Sequence, residues 1–129
     1  MSGVVIDASA ILAAILGEAG GDSVFDLLDA AIVSTVNIAE VYTYATINGL
    51  PTDAIDAFFA DTGIEVVPFD LAQAVTAGQL ARFTRSAGLS LGDRSCLALA
   101  KLRQAEVLTA DRPWQQVAEA VGLTITLLR

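Results

Sequence analysis

Four acidic side chains lie close to predicted junctions between strands and helices, and they are the residues best suited to carry chemistry. They are Asp7, Glu40, Asp93 and Asp111. Carboxylate oxygens are the ligands that Mg²⁺ and Mn²⁺ prefer, and such ions, bound by a few carboxylates, commonly serve phosphate chemistry. These residue types would therefore support metal-assisted hydrolysis of a phosphodiester.

The rest of the composition leaves few alternatives to carboxylate chemistry. The chain of 129 residues has no histidine, which excludes Ser-His-Asp and Cys-His catalysis and the usual zinc sites. The single cysteine, Cys96, stands among Leu97, Leu99 and Ala100. We expect it to be a buried thiol in a reduced, cytoplasmic protein.

The charge is distributed unevenly along the chain. The net charge is −8, but residues 1–81 contain eleven acids and no Lys or Arg, whereas residues 82–129 contain four acids and all seven bases. Phosphate contacts need cations, so a nucleic acid would have to meet the second half or a bound metal. The apolar fraction of 54% predicts an oligomer or a complex. No apolar run reaches the roughly 18 residues that span a bilayer, and no membrane association is expected.

Strands that alternate with helices predict a three-layer α/β/α domain over residues 1–129, with a mainly parallel sheet. The apolar run Val4–Ile6 reads as its first buried strand. A helical hairpin over residues 11–28 follows it. Asn37 is predicted to open the next helix, and Asp70 is predicted to cap a long helix that ends near Gly88. The five predicted strands cover residues 4–6, 31–35, 64–68, 106–109 and 123–128.

Three of the four acids follow predicted strands, and this topology brings them together. Asp7 follows strand 1, Glu40 follows strand 2 and Asp111 follows strand 4. Because the carboxyl ends of parallel strands meet at one edge of the sheet, these three should face one side. Asp93 opens the helix before strand 4, and its place does not follow from this rule alone.

Each acid also has a purely structural interpretation as a helix cap. Asp7 and Asp111 occupy positions suited to N-caps, and the pairs Asn37/Glu40 and Ser90/Asp93 have the spacing of a capping box. A cap contributes about 1 kcal/mol, whereas two carboxylates about 5 Å apart repel each other by about 3 kcal/mol at an effective dielectric constant near 20. Converging acids therefore require a cation. A non-catalytic protein-binding module, in which the acids only cap helices, is the alternative.

Four segments resemble a known family. "VVIDASA", "NIAEV", "LSLGDRSCLALA" and "VLTADRPW" occur in the order in which similar motifs occur in PIN-domain ribonucleases, most closely in VapC-type toxins of toxin–antitoxin pairs. The resemblance covers essentially the whole chain. It implies the strand order 3-2-1-4-5 and an RNA-cleaving pocket of Asp7, Glu40, Asp93 and Asp111 that uses Mg²⁺ or Mn²⁺. The first three would be direct or water-bridged ligands, and Asp111 would complete the site and help to hold a water.

The resemblance also suggests supporting residues and partners. Ser9 and Thr109 match hydroxyl positions that could hydrogen-bond to the carboxylates or a water, or could serve as capping or turn hydroxyls. The arginines could contact RNA phosphates. The alternative is neutralisation of neighbouring acids for Arg94 and Arg112, and solvated surface charge for Arg82 and Arg85. A cognate antitoxin that covers an apolar groove, for which the hairpin over residues 11–28 offers a surface, and a homodimer are the implied protein partners.

Overall fold

The structure is a computed structural model that describes residues 3–129, and it contains five strands and eight α-helices within that range. Three short 3-10 segments, Leu28–Ala30, Arg85–Ala87 and Arg112–Val117, connect some of them. In chain order the elements are β1 (Val4–Ile6), α1 (Ala8–Leu16), α2 (Asp22–Phe25), β2 (Ala31–Ser34), α3 (Thr35–Ile47), α4 (Asp53–Asp61), β3 (Glu65–Val67), α5 (Leu71–Gln79), α6 (Ala81–Thr84), α7 (Leu91–Arg103), β4 (Glu106–Thr109), α8 (Ala118–Val121) and β5 (Ile125–Leu127).

The five strands form one sheet in the order β3-β2-β1-β4-β5, and every neighbouring pair is parallel. The order 3-2-1-4-5 is therefore confirmed. The strand β1 lies at the centre, where Val5 pairs with Ile32 of β2 and with Val107 of β4. A parallel sheet must be covered on both faces, which explains why its central strands read as unbroken apolar runs.

The side chains of each strand point alternately into two separate hydrophobic cores. Val5 and Val107 point into a core that α5, α7 and the segment from Trp114 to Val121 complete. Ile6 and Leu108 point to the opposite face, where they meet side chains of α1, α2, α3 and α4. Because successive strand residues face opposite sides, one short apolar strand serves both cores. The arrangement is the predicted three-layer α/β/α fold.

The helix α3 begins two residues earlier than predicted. The Ser34 hydroxyl caps it by accepting a hydrogen bond from Val36 N at 3.2 Å, so the helix starts at Thr35. Asn37 therefore lies inside the first turn, where it is buried. The prediction that Asn37 and Glu40 form a capping box is wrong, because β2 ends directly in a serine that caps the helix first.

Two predicted helices are shorter or more broken than their sequence pattern suggested. The second arm of the hairpin is the single turn Asp22–Phe25. The long helix after Asp70 is divided into α5, α6 and a 3-10 turn, and Gly88 closes it with a left-handed φ of 75°. The buried Thr84 hydroxyl donates to Leu80 O at 3.0 Å in this region, a contact that tends to bend helices.

None of the helices within residues 3–129 is both long enough and apolar enough to cross a membrane.

Candidate acidic active site

The carboxyl edge of the sheet brings the predicted acids together from four elements. Asp7 directly follows β1, and Asp111 lies two residues beyond the end of β4. Glu40 lies in the second turn of α3, and Asp93 lies in the first turn of α7. Packing of α3 against α7 brings Asp93 to this edge, which the strand-end rule could not predict.

Asp7 is the most enclosed of the four acids. Its side chain caps α1, because Oδ1 accepts a hydrogen bond from Ala10 N at 3.0 Å. The Ser9 hydroxyl lies 2.8 Å from Oδ1 and 2.9 Å from Oδ2, and the Thr109 hydroxyl donates to Oδ2 at 2.7 Å. Three donors therefore hold this carboxylate in one orientation.

The two hydroxyls also connect β1 to the segment that follows β4. Ser9 Oγ accepts a hydrogen bond from Ala110 N at 2.9 Å, and Thr109 Oγ1 accepts one from Asp111 N at 3.0 Å. Each hydroxyl donates to Asp7 while it accepts from the backbone near Asp111. Both hydroxyls therefore support the Asp7 carboxylate, and Thr109 Oγ1 also makes the turn contact that the sequence allowed, because it accepts from the amide two residues further along the chain.

Glu40 contacts the start of α7. Its Oε1 accepts a hydrogen bond from Asn37 Nδ2 at 2.7 Å, and the same amide nitrogen lies 3.1 Å from Gly92 O. The carboxylate lies so close to Gly92 that a Cβ atom there would overlap it. Glu40 is thereby held beside Asp93, the residue after Gly92.

Asp93 and Asp111 are held by their own surroundings. Asp93 Oδ2 accepts a hydrogen bond from Ser90 N at 2.8 Å, and Ser90 Oγ accepts one from Asp93 N at 3.2 Å, so the predicted capping box is present. Asp111 precedes the 3-10 segment without capping it. Its Oδ2 accepts a hydrogen bond from Trp114 Nε1 at 3.1 Å.

Burial, and to a smaller extent the charge of Asp93, makes Asp7 and Glu40 less acidic. Burial raises the pKa of Asp7 to about 6 from 3.8, against the hydrogen bonds from Thr109, Ala10 and Ser9, and the nearby Asp93 adds to the rise. Burial, followed by the charge of Asp93, also raises the pKa of Glu40.

Asp93 lies at the centre of this repulsion. Burial and the charge of Asp111 raise the pKa of Asp93, while its hydrogen bonds with Ser90 and the charge of Arg94 oppose the rise. Asp93 therefore interacts with each of the other three acids.

Capping explains only part of this arrangement. Asp7 and Asp93 do cap helices, as the structural interpretation predicted. Glu40 lies in the second turn of its helix and Asp111 makes no cap bond. The exposed Asp70 is the useful contrast, because its Oδ1 caps α5 through Gln73 N at 2.9 Å beyond the edge strand β3. Helix capping alone thus gives no reason for all four acids to share one edge.

The donor set suits a hard divalent cation. All the candidate donors are carboxylate oxygens, and a cation would offset both the burial that chiefly raises the pKa values of Asp7, Glu40 and Asp93 and the smaller repulsion between the acids. Among residues 3–129, no three acidic, histidine or cysteine side chains lie close enough together to surround an ion directly. Mg²⁺ commonly retains several waters and takes only one or two carboxylates directly. A Mg²⁺ ion at this edge would therefore have to be held partly through water.

The four candidate arginines occupy different environments. Arg94 is partly buried and donates to Ala77 O at 2.9 Å, while its charge lowers the pKa of Asp93. This position favours neutralisation of an acid over phosphate contact. Arg82, Arg85 and Arg112 are exposed, and the 3-10 segment that contains Arg85 packs against the one that begins with Arg112.

The remaining side chains singled out from the sequence have packing roles. Trp114 is fully buried, and the half-buried Tyr42 donates a hydrogen bond to Asp56. The Cys96 thiol is buried as predicted, and burial raises its pKa well above the usual range.

Sequence reasoning missed two residues that shape the site. Asn37 was interpreted as the start of a helix, and Gly92 was given no role. The available signals were a polar residue three positions before Glu40 and a glycine directly before Asp93. Both signals become meaningful only when α3 and α7 are known to touch.

Comparisons with known proteins place this arrangement in a family. A chain of the DNA-bound VapBC complex from Salmonella typhimurium is 18% identical, with a TM-score of 0.76 and full coverage of both chains. A chain of FitAcB from Neisseria gonorrhoeae is 15% identical, with a TM-score of 0.73 and 97% coverage of each chain. A chain of a toxin–antitoxin complex from Klebsiella pneumoniae is also 15% identical, with a TM-score of 0.69 and 98% coverage of each chain.

At these identities the structural likeness establishes a shared fold. A search of curated proteins found no match. The family model for the PIN domain matches residues 4–120, which is most of the sequence. The chain belongs to the PIN domain family.

Proposed function

We propose that this protein is a Mg²⁺- or Mn²⁺-dependent endoribonuclease that acts as the toxin of a toxin–antitoxin pair. The observation that carries the proposal is the convergence of Asp7, Glu40, Asp93 and Asp111 from four elements, with repulsion centred on Asp93. Membership of the PIN domain family, whose members are generally nucleases, supports it.

The chain's own residues would prepare the pocket for hydrolysis of a phosphodiester. Asp7, Glu40 and Asp93 would hold the cation directly or through water, and Asp111 would complete the set. When bound, the cation would neutralise the phosphodiester and lower the pKa of an attacking water. Ser9 and Thr109 would keep the Asp7 carboxylate in its ligand orientation, because their hydroxyls donate to it.

The RNA backbone would approach from the side of the exposed arginines. Arg112 follows Asp111 in the sequence, and Arg85 belongs to the adjacent 3-10 segment. Arg82 on the neighbouring helix α6 is a further exposed cation, whereas the first 81 residues contain no Lys or Arg. Phosphate contacts need cations, so these residues and the metal would supply most of the attraction for RNA.

An antitoxin is the proposed protein partner in the cytoplasm. One structural relative, from Klebsiella pneumoniae, is described as a toxin–antitoxin complex. An apolar groove of about 320 Å³, lined by Leu12, Ile15 and Leu16 of α1 together with Ala45 and Ile55, offers an apolar segment a place to bind. The acidic net charge favours a partner with basic side chains. We also propose a homodimer, which the large apolar fraction of the sequence supports.

Cleavage of a labelled RNA by protein freed of its antitoxin tests the enzymatic proposal. Activity should require Mg²⁺ or Mn²⁺, should disappear with a chelator and should be lost in Glu40→Gln. Glu40 does not cap a helix, and glutamine keeps the oxygen that accepts the Asn37 hydrogen bond, so this variant should fold normally.

Asp70→Asn, purified in the same way, is the matched control. It replaces an acid that caps a helix next to the edge strand, and it should cleave like the parent. Equal cleavage by Glu40→Gln and the parent would contradict the proposed site.

A further inference from the structure

We propose that Asn37 and Gly92 together form a seat for the Glu40 carboxylate, and that Asn37 is a positioning residue for the site. By the Glu40 seat we mean the Asn37 amide and the side-chain-free face of Gly92. The inference rests on the proposed function, because it assumes that Glu40 serves as a ligand. It assigns to two uncharged residues the task of holding that ligand beside Asp93.

The Asn37 amide joins the two helices that carry acids. The side chain is 1% exposed, and its Nδ2 lies 2.7 Å from Glu40 Oε1 and 3.1 Å from Gly92 O. One amide group therefore ties the carboxylate of α3 to the backbone of α7. A carboxylate held in this way has fewer accessible rotamers, and less entropy is lost when it binds an ion.

Gly92 supplies the space that the carboxylate occupies. The three atoms nearest to a Cβ built at this position all belong to the Glu40 carboxylate, and the overlap would be severe. The φ angle of Gly92 lies outside the left-handed region, so the backbone does not require glycine. Alanine is favoured over glycine within helices, so the glycine is best explained by the room that it leaves.

Besides the helical glycine, the Glu40 seat contains a second feature that opposes folding, a buried polar atom. Asn37 Oδ1 is buried and has no hydrogen-bond partner within residues 3–129, a condition that is costly for a polar atom. An apolar side chain of similar size would avoid this cost. Local features that oppose stability are expected where function requires them. Here the helical glycine and the buried Asn37 oxygen both lie beside the Glu40 carboxylate.

The chain contains a matched control for Asn37. Gln73 is also a buried side-chain amide, at 3% exposure, and it also has a carbonyl oxygen without a partner. Its nitrogen donates to Pro68 O at 2.9 Å, next to the edge strand. Gln73→Leu therefore removes the same chemical group as Asn37→Leu without touching Glu40.

Calorimetric titration with Mn²⁺ tests the role of Asn37. Asn37→Leu should weaken Mn²⁺ binding by about 10- to 100-fold, as expected when a partner that orients a ligand is lost. Gln73→Leu should bind Mn²⁺ like the parent, and if either leucine variant fails to fold, the two alanine variants replace the pair. Unchanged Mn²⁺ affinity in a folded Asn37 variant would overturn the positioning role.

A double-mutant cycle tests the seat without any metal. Gly92→Ala should lower the melting temperature by roughly 2–5 °C, because the new methyl group would displace the Glu40 carboxylate and break its hydrogen bond with Asn37. In a Glu40→Ala background the same substitution should leave the melting temperature unchanged or raise it by up to about 5 °C, because alanine is favoured over glycine within helices and no carboxylate is displaced. Equal effects of Gly92→Ala in both backgrounds would overturn the seat.

The two experiments separate failure of the seat from failure of the proposed function. If the parent does not bind Mn²⁺, the metal-dependent function fails and the positioning role of Asn37 fails with it. The double-mutant cycle alone then tests whether Glu40 packs against Gly92. If the parent binds Mn²⁺ but the cycle shows no coupling, the seat fails while the proposed function stands.

Discussion

Replacement of Asp7 by asparagine should stabilise the metal-free protein at neutral pH. Asparagine caps helices about as well as aspartate, and it has no charge to bury. The Asp7 side chain is 4% exposed, and its burial raises the pKa to about 6 from 3.8. This shift of roughly two units corresponds to about 3 kcal/mol of destabilisation once the carboxylate is ionised, at about 1.4 kcal/mol per unit.

The stabilisation should depend on pH. The folded protein holds the Asp7 proton more tightly than the unfolded chain does. The contribution of this group to the free energy of unfolding is therefore greatest below pH 3.8 and is lost as the pH rises through about 6. The difference between Asp7→Asn and the parent should grow from near zero at about pH 4 to about 3 kcal/mol at about pH 7.5.

Urea denaturation in the presence of a chelator measures this difference. Trp114 is the only tryptophan and is fully buried, so its fluorescence reports unfolding of the whole domain. Asp70→Asn is the control, because Asp70 caps α5 through an equivalent hydrogen bond but is exposed. It should change the free energy of unfolding by less than about 0.5 kcal/mol at either pH.

Two results would refute this reasoning about Asp7. One is an Asp7→Asn variant that is no more stable than the parent at about pH 7.5. The other is a stability difference that does not shrink towards acidic pH. Addition of Mn²⁺ should raise the melting temperature of the parent, because its Asp7 carboxylate helps to bind the ion. The melting temperature of Asp7→Asn should stay nearly unchanged, because asparagine supplies no charged ligand.

Three further substitutions or reactions test neighbouring parts of the structure. Thr109→Val removes the hydroxyl that donates to Asp7, so it should raise the Asp7 pKa further. In urea denaturation it should lower the free energy of unfolding by about 1–3 kcal/mol at neutral pH, and by less at about pH 4. Gln104 has a φ of 53°, so Gln104→Gly should gain about 0.5–1 kcal/mol in the same assay, whereas Gln104→Ala should gain nothing. Burial raises the pKa of Cys96, so a thiol reagent should modify it only in denaturant, and rapid labelling of the folded protein would contradict its placement.

The fold class could be predicted from the sequence because its signals are local. Apolar runs such as Val4–Ile6 alternate with helical patterns, and this alternation is enough to indicate a parallel sheet between helical layers. The end points of helices were less certain because competing local interactions set them. Ser34 and Asn37 are both good capping residues, and only the end of β2 decides that Ser34 caps α3.

The candidate site could be predicted only in part from the chain itself. Asp7, Glu40 and Asp111 follow strands, so the topology of a parallel sheet is enough to bring them together. Asp93 begins a helix before its strand and reaches the site through packing of α7 against α3. Contacts between elements more than fifty residues apart leave no periodic signal, which is why the resemblance to a family was needed for Asp93 and why Asn37 and Gly92 went unnoticed.

The central position of β1 has a consequence for synthesis of the chain on the ribosome. Val5 pairs with Val107, and the Asp7 carboxylate takes a hydrogen bond from Thr109. After β1 has been synthesised, about a hundred further residues must therefore follow before its partner strand β4 exists. Until then the nascent chain cannot assemble the acidic pocket, so the proposed nuclease could become active only after β4 and Asp111 have been synthesised.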